Sequence, residues 1–161
     1  MQDPPSNIEA QYNTMIVIWA SLLMSQVLFV VLVYLTRPQL FRFDLSQPLL
    51  GGSRQGTGST GALIIGFGVA ALLSVGFSFA FKKRLNERAV AAQDPAQVQS
   101  GLVIALALCE ASSLFGLALA FAFDYSYFYL WIALGLLGML LHFPRRNDLH
   151  AASFNKTQPP A

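Results

Sequence analysis

Charged side chains are scarce in this chain. Its 161 residues include 10 Lys and Arg and 8 Asp and Glu, 11% of the total, where a soluble domain carries roughly 25%. That deficit argues against a water-facing globular domain and for lipid as the solvent. The net charge of +2 is too small to imply a nucleic-acid partner, and the basic residues cluster beside apolar runs rather than on a phosphate-binding face. Cysteine occurs once, as Cys109, which excludes an intrachain disulfide and reads as a packing residue among small apolar neighbours. Histidine occurs twice, as His142 and His150, both at or beyond the end of the last apolar run. There is no His-x-x-x-His, no cysteine cluster and no Ser/His/Asp constellation at membrane depth. No metal, no cofactor and no catalytic activity of the chain by itself are therefore expected. Residues 1–13 hold Asp3 and Glu9 but no Lys or Arg. The basic start that a cleavable signal needs is missing, so the first apolar run is expected to remain as a membrane span.

What the chain does have is apolar length: 55% of it is hydrophobic. Four runs stand out, at about 14–35, 61–81, 98–123 and 128–143. The first would measure about 33 Å as a helix, enough for the hydrocarbon core. The fold class expected is an all-α integral membrane protein, one membrane domain with four transmembrane helices in a bundle and polar tails at 1–13 and 144–161. Arg37-Pro38 ends the first helix, and Lys82-Lys83-Arg84 is expected to stop the second, leaving a short polar segment at 85–97. The Gly/Ser/Thr-rich stretch 51–60 reads as a flexible connector. It is no phosphate loop, because it lacks Gly-Lys-Ser/Thr. Gly66, Ala70, Ser74 and Ser78 recur every four residues and predict a close-packing face on the second helix.

Four spans place Lys82, Lys83, Arg84, Arg88, Arg145, Arg146 and Lys156 on one side, and Arg37, Arg42 and Arg54 on the other. Seven against three puts both termini in the cytoplasm of a bacterial cytoplasmic membrane.

Glu110 is the one carboxylate inside a span. Intramembrane carboxylates are costly and tend to pair or to mark proton and ion paths. At about 100° per residue, Glu110 shares a face with Val103, Leu106, Ala107, Ser113, Leu114 and Leu117, while Gly101, Ala105, Ser112, Gly116 and Ala120 lie mostly on the other side. That small face is expected to meet the second helix, turning Glu110 toward the first or fourth helix, another copy or a partner protein. Desolvation disfavours the charged form of a carboxyl, so a group here can hold and release a proton. Two readings stay open: a proton-binding site, supported by Gln26 and Ser113, or a protonated side chain hydrogen-bonded to Gln26 or a serine as bundle glue. Gln26, near the middle of the first span, is expected to bond a neighbouring helix or to relay protons.

These residues carry a resemblance. Gly61-Ala62 with Gly66-Phe67-Gly68, then Gln93-Asp94-Pro95, then Ala107-Leu108-Cys109-Glu110-Ala111-Ser112-Ser113-Leu114-Phe115-Gly116-Leu117 resemble the helical hairpin of the rotary ATP synthase ring subunit (subunit c, the proteolipid) over residues 61–123. The resemblance implies a proton-binding Glu110 and a hairpin loop on the cytoplasmic side. The chain departs from that family in having Ala92 and Gln93 where the loop arginine would stand, and in its extra spans at both ends. Two functions follow as expectations. One is a membrane subunit with a subunit-c-like hairpin that binds or relays protons through Glu110. The other is a non-catalytic accessory or scaffold subunit of a larger respiratory or photosynthetic complex. The expected partners are the lipid bilayer and other membrane subunits or further copies of this chain.

Overall fold

The computed structural model describes residues 6–41 and 59–153, and every regular element among them is helical. The helices are α1 (Ser6–Thr36), a 3-10 turn (Pro38–Phe41), α2 (Ser59–Ala92), α3 (Pro95–Phe123), α4 (Phe128–Leu141) and α5 (Arg146–Ser153). Three of them are long and apolar enough to cross a membrane: Ile8–Thr36, Gly61–Ala92 and Pro95–Phe123. The fourth apolar helix, α4, has 14 residues. That is about 21 Å, against about 30 Å of hydrocarbon core.

Several boundaries differ from the sequence expectation, each for a packing reason. α1 begins inside the supposed polar tail. Ile8 and Tyr12 lie on the same seam as Met15, Trp19 and Leu22 and pack with Leu149 and Ala152. The end of the chain is likewise no simple tail. Residues 146–153 form α5, which buries Leu149 and Ala152, while 154–161 lie outside the described residues. Lys82-Lys83-Arg84 does not stop α2. No Gly or Pro falls between Phe77 and Asp94, and Ala89 stays fully buried, so the polar segment at 85–97 is mostly helix. The break is confined to Gln93 and Asp94. Gln93 takes a left-handed φ of 54°; its N–H bonds the Val90 carbonyl, and the Asp94 N–H bonds that of Ala89, a Schellman ending. Asp94 then caps α3 by accepting from the Ala96 N–H, with Pro95 in the first turn. The glycine-rich connector is part of residues 42–58, outside the described residues; Ser59 and Thr60 already belong to α2.

The expected small-residue stripe is corrected as well. Gly66 is exposed and would meet nothing within 4 Å even with a β-carbon. A series taken every four residues advances about 400° per step, so it drifts about 40° each time and leaves the contact. The seam of α2 instead follows alternating steps of four and three, through Ile64, Gly68, Ala71, Val75 and Ser78. The seam of α3 does the same through Val98, Leu102, Ala105, Cys109, Ser112, Gly116 and Leu119. This 3.5-residue period is that of left-handed coiled-coil packing. Nor does the small face of α3 turn wholly to α2. Gly101 abuts Leu85 of α2, whereas Gly116 abuts Phe128, Trp131 and Ile132 on the α4 side.

α3 is thus the central helix: 44% of its apolar stretch is buried, against 11% for α1. At one end of the bundle the start of α1 meets α5, where Arg146 pairs with Glu9 and lies over the Tyr12 ring. The close of α2 and the opening of α3 lie there too, and this is called the basic end below. At the other end, Arg37 pairs with Asp124 of the α3–α4 turn. Two apolar clusters fill the interior. One, toward the basic end, contains Met15, Leu102, Leu106, Met139 and Leu149. The other, toward the α3–α4 turn, contains Val33, Ile64, Leu119, Phe128 and Ile132.

Candidate functional site at the middle of the bundle

Polar side chains collect between those two clusters. α1 and α3 run parallel, so Ser25 on α1 comes level with Glu110 on α3. Ser25 Oγ lies 2.7 Å from Glu110 Oε1 and 2.6 Å from the Leu22 carbonyl oxygen. Glu110 is half-buried. The structure therefore turns it toward the first helix of its own chain, one of the neighbours the sequence left open, and gives it a serine as its partner.

The geometry constrains the protons. A serine hydroxyl has one hydrogen and can donate only once. A carbonyl oxygen only accepts, and so does an ionised carboxylate. With Glu110 ionised, the single Ser25 hydrogen is shared between two acceptors, Glu110 Oε1 and the Leu22 carbonyl oxygen. With a proton on Glu110, the carboxyl donates to Ser25 Oγ and Ser25 donates to the Leu22 carbonyl, so each contact has its own hydrogen. Donation back to the preceding turn is common for a helical serine. Here it orients the hydroxyl so that a lone pair is left for the carboxyl.

The other two expected site residues are near but not joined to it. Gln26 is 2% exposed, faces the bundle interior beside Ser25, and both atoms of its amide lack a hydrogen-bond partner. Ser113 is fully buried, and its Oγ also lacks a partner; it lies under Gly135 of α4. Gln26 therefore makes neither the interhelical bond nor the Glu110 contact expected of it. Around these groups, Ser112 Oγ donates to the Trp131 carbonyl at 3.2 Å, and Cys109 Sγ is 3.5 Å from Ser78 Oγ. Trp19 donates its indole N–H to the Met139 carbonyl at 2.9 Å and fixes α1 to α4.

The sequence reading passed over Ser25 in favour of the longer Gln26. The signal for Ser25 was present in the seam. Met15, Trp19, Leu22, Gln26 and Val33 face the interior, which places position 25 on the flank, beside the flank of α3 that carries Glu110. Among the described residues, no group of three or more His, Cys, Asp and Glu could hold a metal ion.

Compared with known proteins, the chain matches no family model, no curated protein and no solved structure.

Proposed function

We propose that this chain is a polytopic membrane subunit that holds an exchangeable proton at Glu110, between its first and third helices. The observation that carries the reading is the Ser25 hydroxyl, set between Glu110 Oε1 and the Leu22 carbonyl. Each of its two contacts has its own hydrogen when the carboxyl is protonated, and the two share one when the proton leaves. Gln26 and Ser113, with unused hydrogen-bonding atoms in the same layer, are the groups nearest in depth to receive a proton or a water. The subunit-c-like motif at 107–117 supports the same assignment.

The membrane part of the proposal has four spans, α4 being the short one. Exposed Leu130, Leu137, Leu140 and Leu141 give α4 an outer face as apolar as those of the longer helices. Among the described residues, the basic end carries Lys82, Lys83, Arg84, Arg88, Arg145 and Arg146, against Arg37 at the opposite end. That asymmetry supports a cytoplasmic basic end, with the start of α1 and α5 both on that side. A bacterial cytoplasmic membrane is the proposed setting.

A second reading has its own observation. Val17, Met24, Val27, Leu28, Val31, Leu32 and Leu35 are exposed along α1. A face of that length suits a neighbouring subunit as well as lipid, and an accessory subunit of a larger complex would use Glu110 only as glue.

The test is carboxyl modification of the folded protein in detergent micelles with a hydrophobic carbodiimide, read by peptide mass spectrometry. Carbodiimides attack the protonated carboxyl, so the proton-site reading expects Glu110 to be labelled, faster as pH falls, and to be spared in S25A if the serine bridge holds the reactive form. A folded protein whose Glu110 stays unmodified across that pH range refutes the proton site and leaves the accessory reading.

A further inference from the structure

A cavity of about 450 Å³ opens at the basic end, between the C-terminal third of α2, the end of α4 and the start of α5. Its position along the helices is its first notable property. Phe79 and Leu141, on its membrane side, are exposed apolar residues at the ends of the apolar runs of α2 and α4. Lys82 and Lys83 lie one turn further along α2, and Arg145 just before α5. The cavity is apolar below and cationic above, at the level where hydrocarbon gives way to headgroups.

Its second property is a surplus of positive charge. Glu87 and Asp148 also line it, so three cations face two carboxylates. Yet the ion pairs among the described residues are Arg37–Asp124 and Arg146–Glu9; neither involves Lys82, Lys83 or Arg145. Asp148 is held instead by the amide of Asn86, with Nδ2 to Oδ2 at 3.3 Å. Asp148 acts on half-buried Lys82 only from beyond 4.0 Å, and Arg145 opposes it, so an anion placed between these cations is favoured. His142 forms part of the wall. It is fully buried, and its Nδ1 is 2.7 Å from the Gly138 carbonyl. Its ring lies against Phe79 at 4.4 Å between centroids, which fixes the floor of the cavity.

We infer that this cavity binds the headgroup of an anionic phospholipid. The phosphate sits among Lys82, Lys83 and Arg145, and the acyl chains descend over Phe79 and Leu141. The inference rests on the membrane-spanning reading but not on any role of Glu110. An amphiphile fits both halves of the lining at once, whereas a free phosphate would use only the cationic half. Lysine and arginine near a membrane surface each favour anionic lipid by roughly fivefold in binding.

The test uses the full chain in mild detergent and native mass spectrometry. It is titrated with dioleoylphosphatidylglycerol, with dioleoylphosphatidylcholine, and with phosphatidylglycerol in the presence of glycerol phosphate. The expected result is a phosphatidylglycerol preference of roughly fivefold or more over phosphatidylcholine, unmoved by an equal concentration of glycerol phosphate. K82Q/R145Q should bring the preference close to one. The charge-matched control R84Q/R88Q, on the same end but off the cavity, should keep it, and circular dichroism checks that both variants are folded. Should K82Q/R145Q not fold, K83Q alone must lower the preference. Equal binding of the two lipids by the wild type overturns the site and leaves the membrane reading intact. Binding of neither overturns both. Displacement by glycerol phosphate, or an equal loss in R84Q/R88Q, overturns the lipid assignment.

Discussion

Gly135 of α4 rides directly on Ser113 of α3: a β-carbon on the glycine would overlap the serine Oγ and come within 2.6 Å of the Cys109 carbonyl oxygen. The backbones of the two helices can approach this closely only because the side chain is a hydrogen. In a membrane, where hydrocarbon between helices gains nothing over lipid, such close packing is a main source of association.

Gly135→Ala should therefore destabilise the protein by about 1–3 kcal/mol, the usual range for overpacking. Gly66→Ala, where a β-carbon meets nothing within 4 Å, should be neutral or stabilising by up to about 1 kcal/mol through helix propensity. Thermal unfolding of both variants in one detergent checks the contrast. Equal effects would mean that the α3–α4 contact is misplaced.

Glu110→Gln should fold with stability close to the wild type, because an amide N–H can donate to Ser25 Oγ as a protonated carboxyl does. Glu110→Ala and Ser25→Ala should each cost about 0.6–1.7 kcal/mol, the measured scale of interhelical hydrogen bonds in membranes. Infrared spectroscopy gives a second readout. On the proton-site reading, the carbonyl stretch of a protonated carboxyl is present in the wild type and lost in Glu110→Gln; its absence from the wild type would favour the accessory reading. A Gln variant as unstable as the Ala variant would argue for an ionised Glu110.

Gln26→Leu is expected to stabilise the fold. The amide is buried with both polar atoms unpaired, and replacing a buried unsatisfied group with an apolar one of similar size typically recovers about 1–3 kcal/mol. If the same variant assembles well but loses proton-coupled activity, Gln26 is kept for transfer. A loss of stability would instead reveal a hydrogen-bond partner, such as a bound water, that the amide depends on.

Gln93→Gly should raise the unfolding temperature. Gln93 sits at a left-handed φ of 54°, which costs a residue with a β-carbon about 1–2 kcal/mol and glycine almost nothing. Part of that gain is returned through the greater freedom of glycine in the unfolded chain, so a net gain of about 0.5–1 kcal/mol is expected. Temperature-dependent circular dichroism measures it.

Much of this architecture was legible in the sequence, for identifiable reasons. Apolar length marked α1 to α4, since lipid demands it and little else produces it. The start of α3 was placed three residues late, at 98, because apolar character begins there, whereas the helix itself starts where Asp94 caps it and Pro95 fits its first turn. Charge was misleading at both edges. Lys82-Lys83-Arg84 reads as a stop, but charge ends the hydrocarbon layer and not the helix, which needs a residue such as Gln93 in a non-helical conformation. α5 and the first turns of α1 were missed because each is polar and short, and each is held by the other through Tyr12, Leu149 and Arg146. At the site, Glu110 stood out because it is alone at that depth. Its partner did not, since choosing between Ser25 and Gln26 requires the rotation of α1, and that is set by tertiary contacts such as Trp19 to Met139.

The thin packing of α1 bears on the order in which the protein assembles. Its contacts run to Glu110 on α3, to Met139 on α4 and to Arg146 on α5, all of which leave the ribosome after it. A helix made before its neighbours α3, α4 and α5 is thus locked only after them. Until α3 and α4 arrive, it must wait in the bilayer with Ser25 and Gln26 turned to lipid or to a transient companion. Nascent chains halted before residue 95 should therefore be the ones that insertion chaperones hold longest.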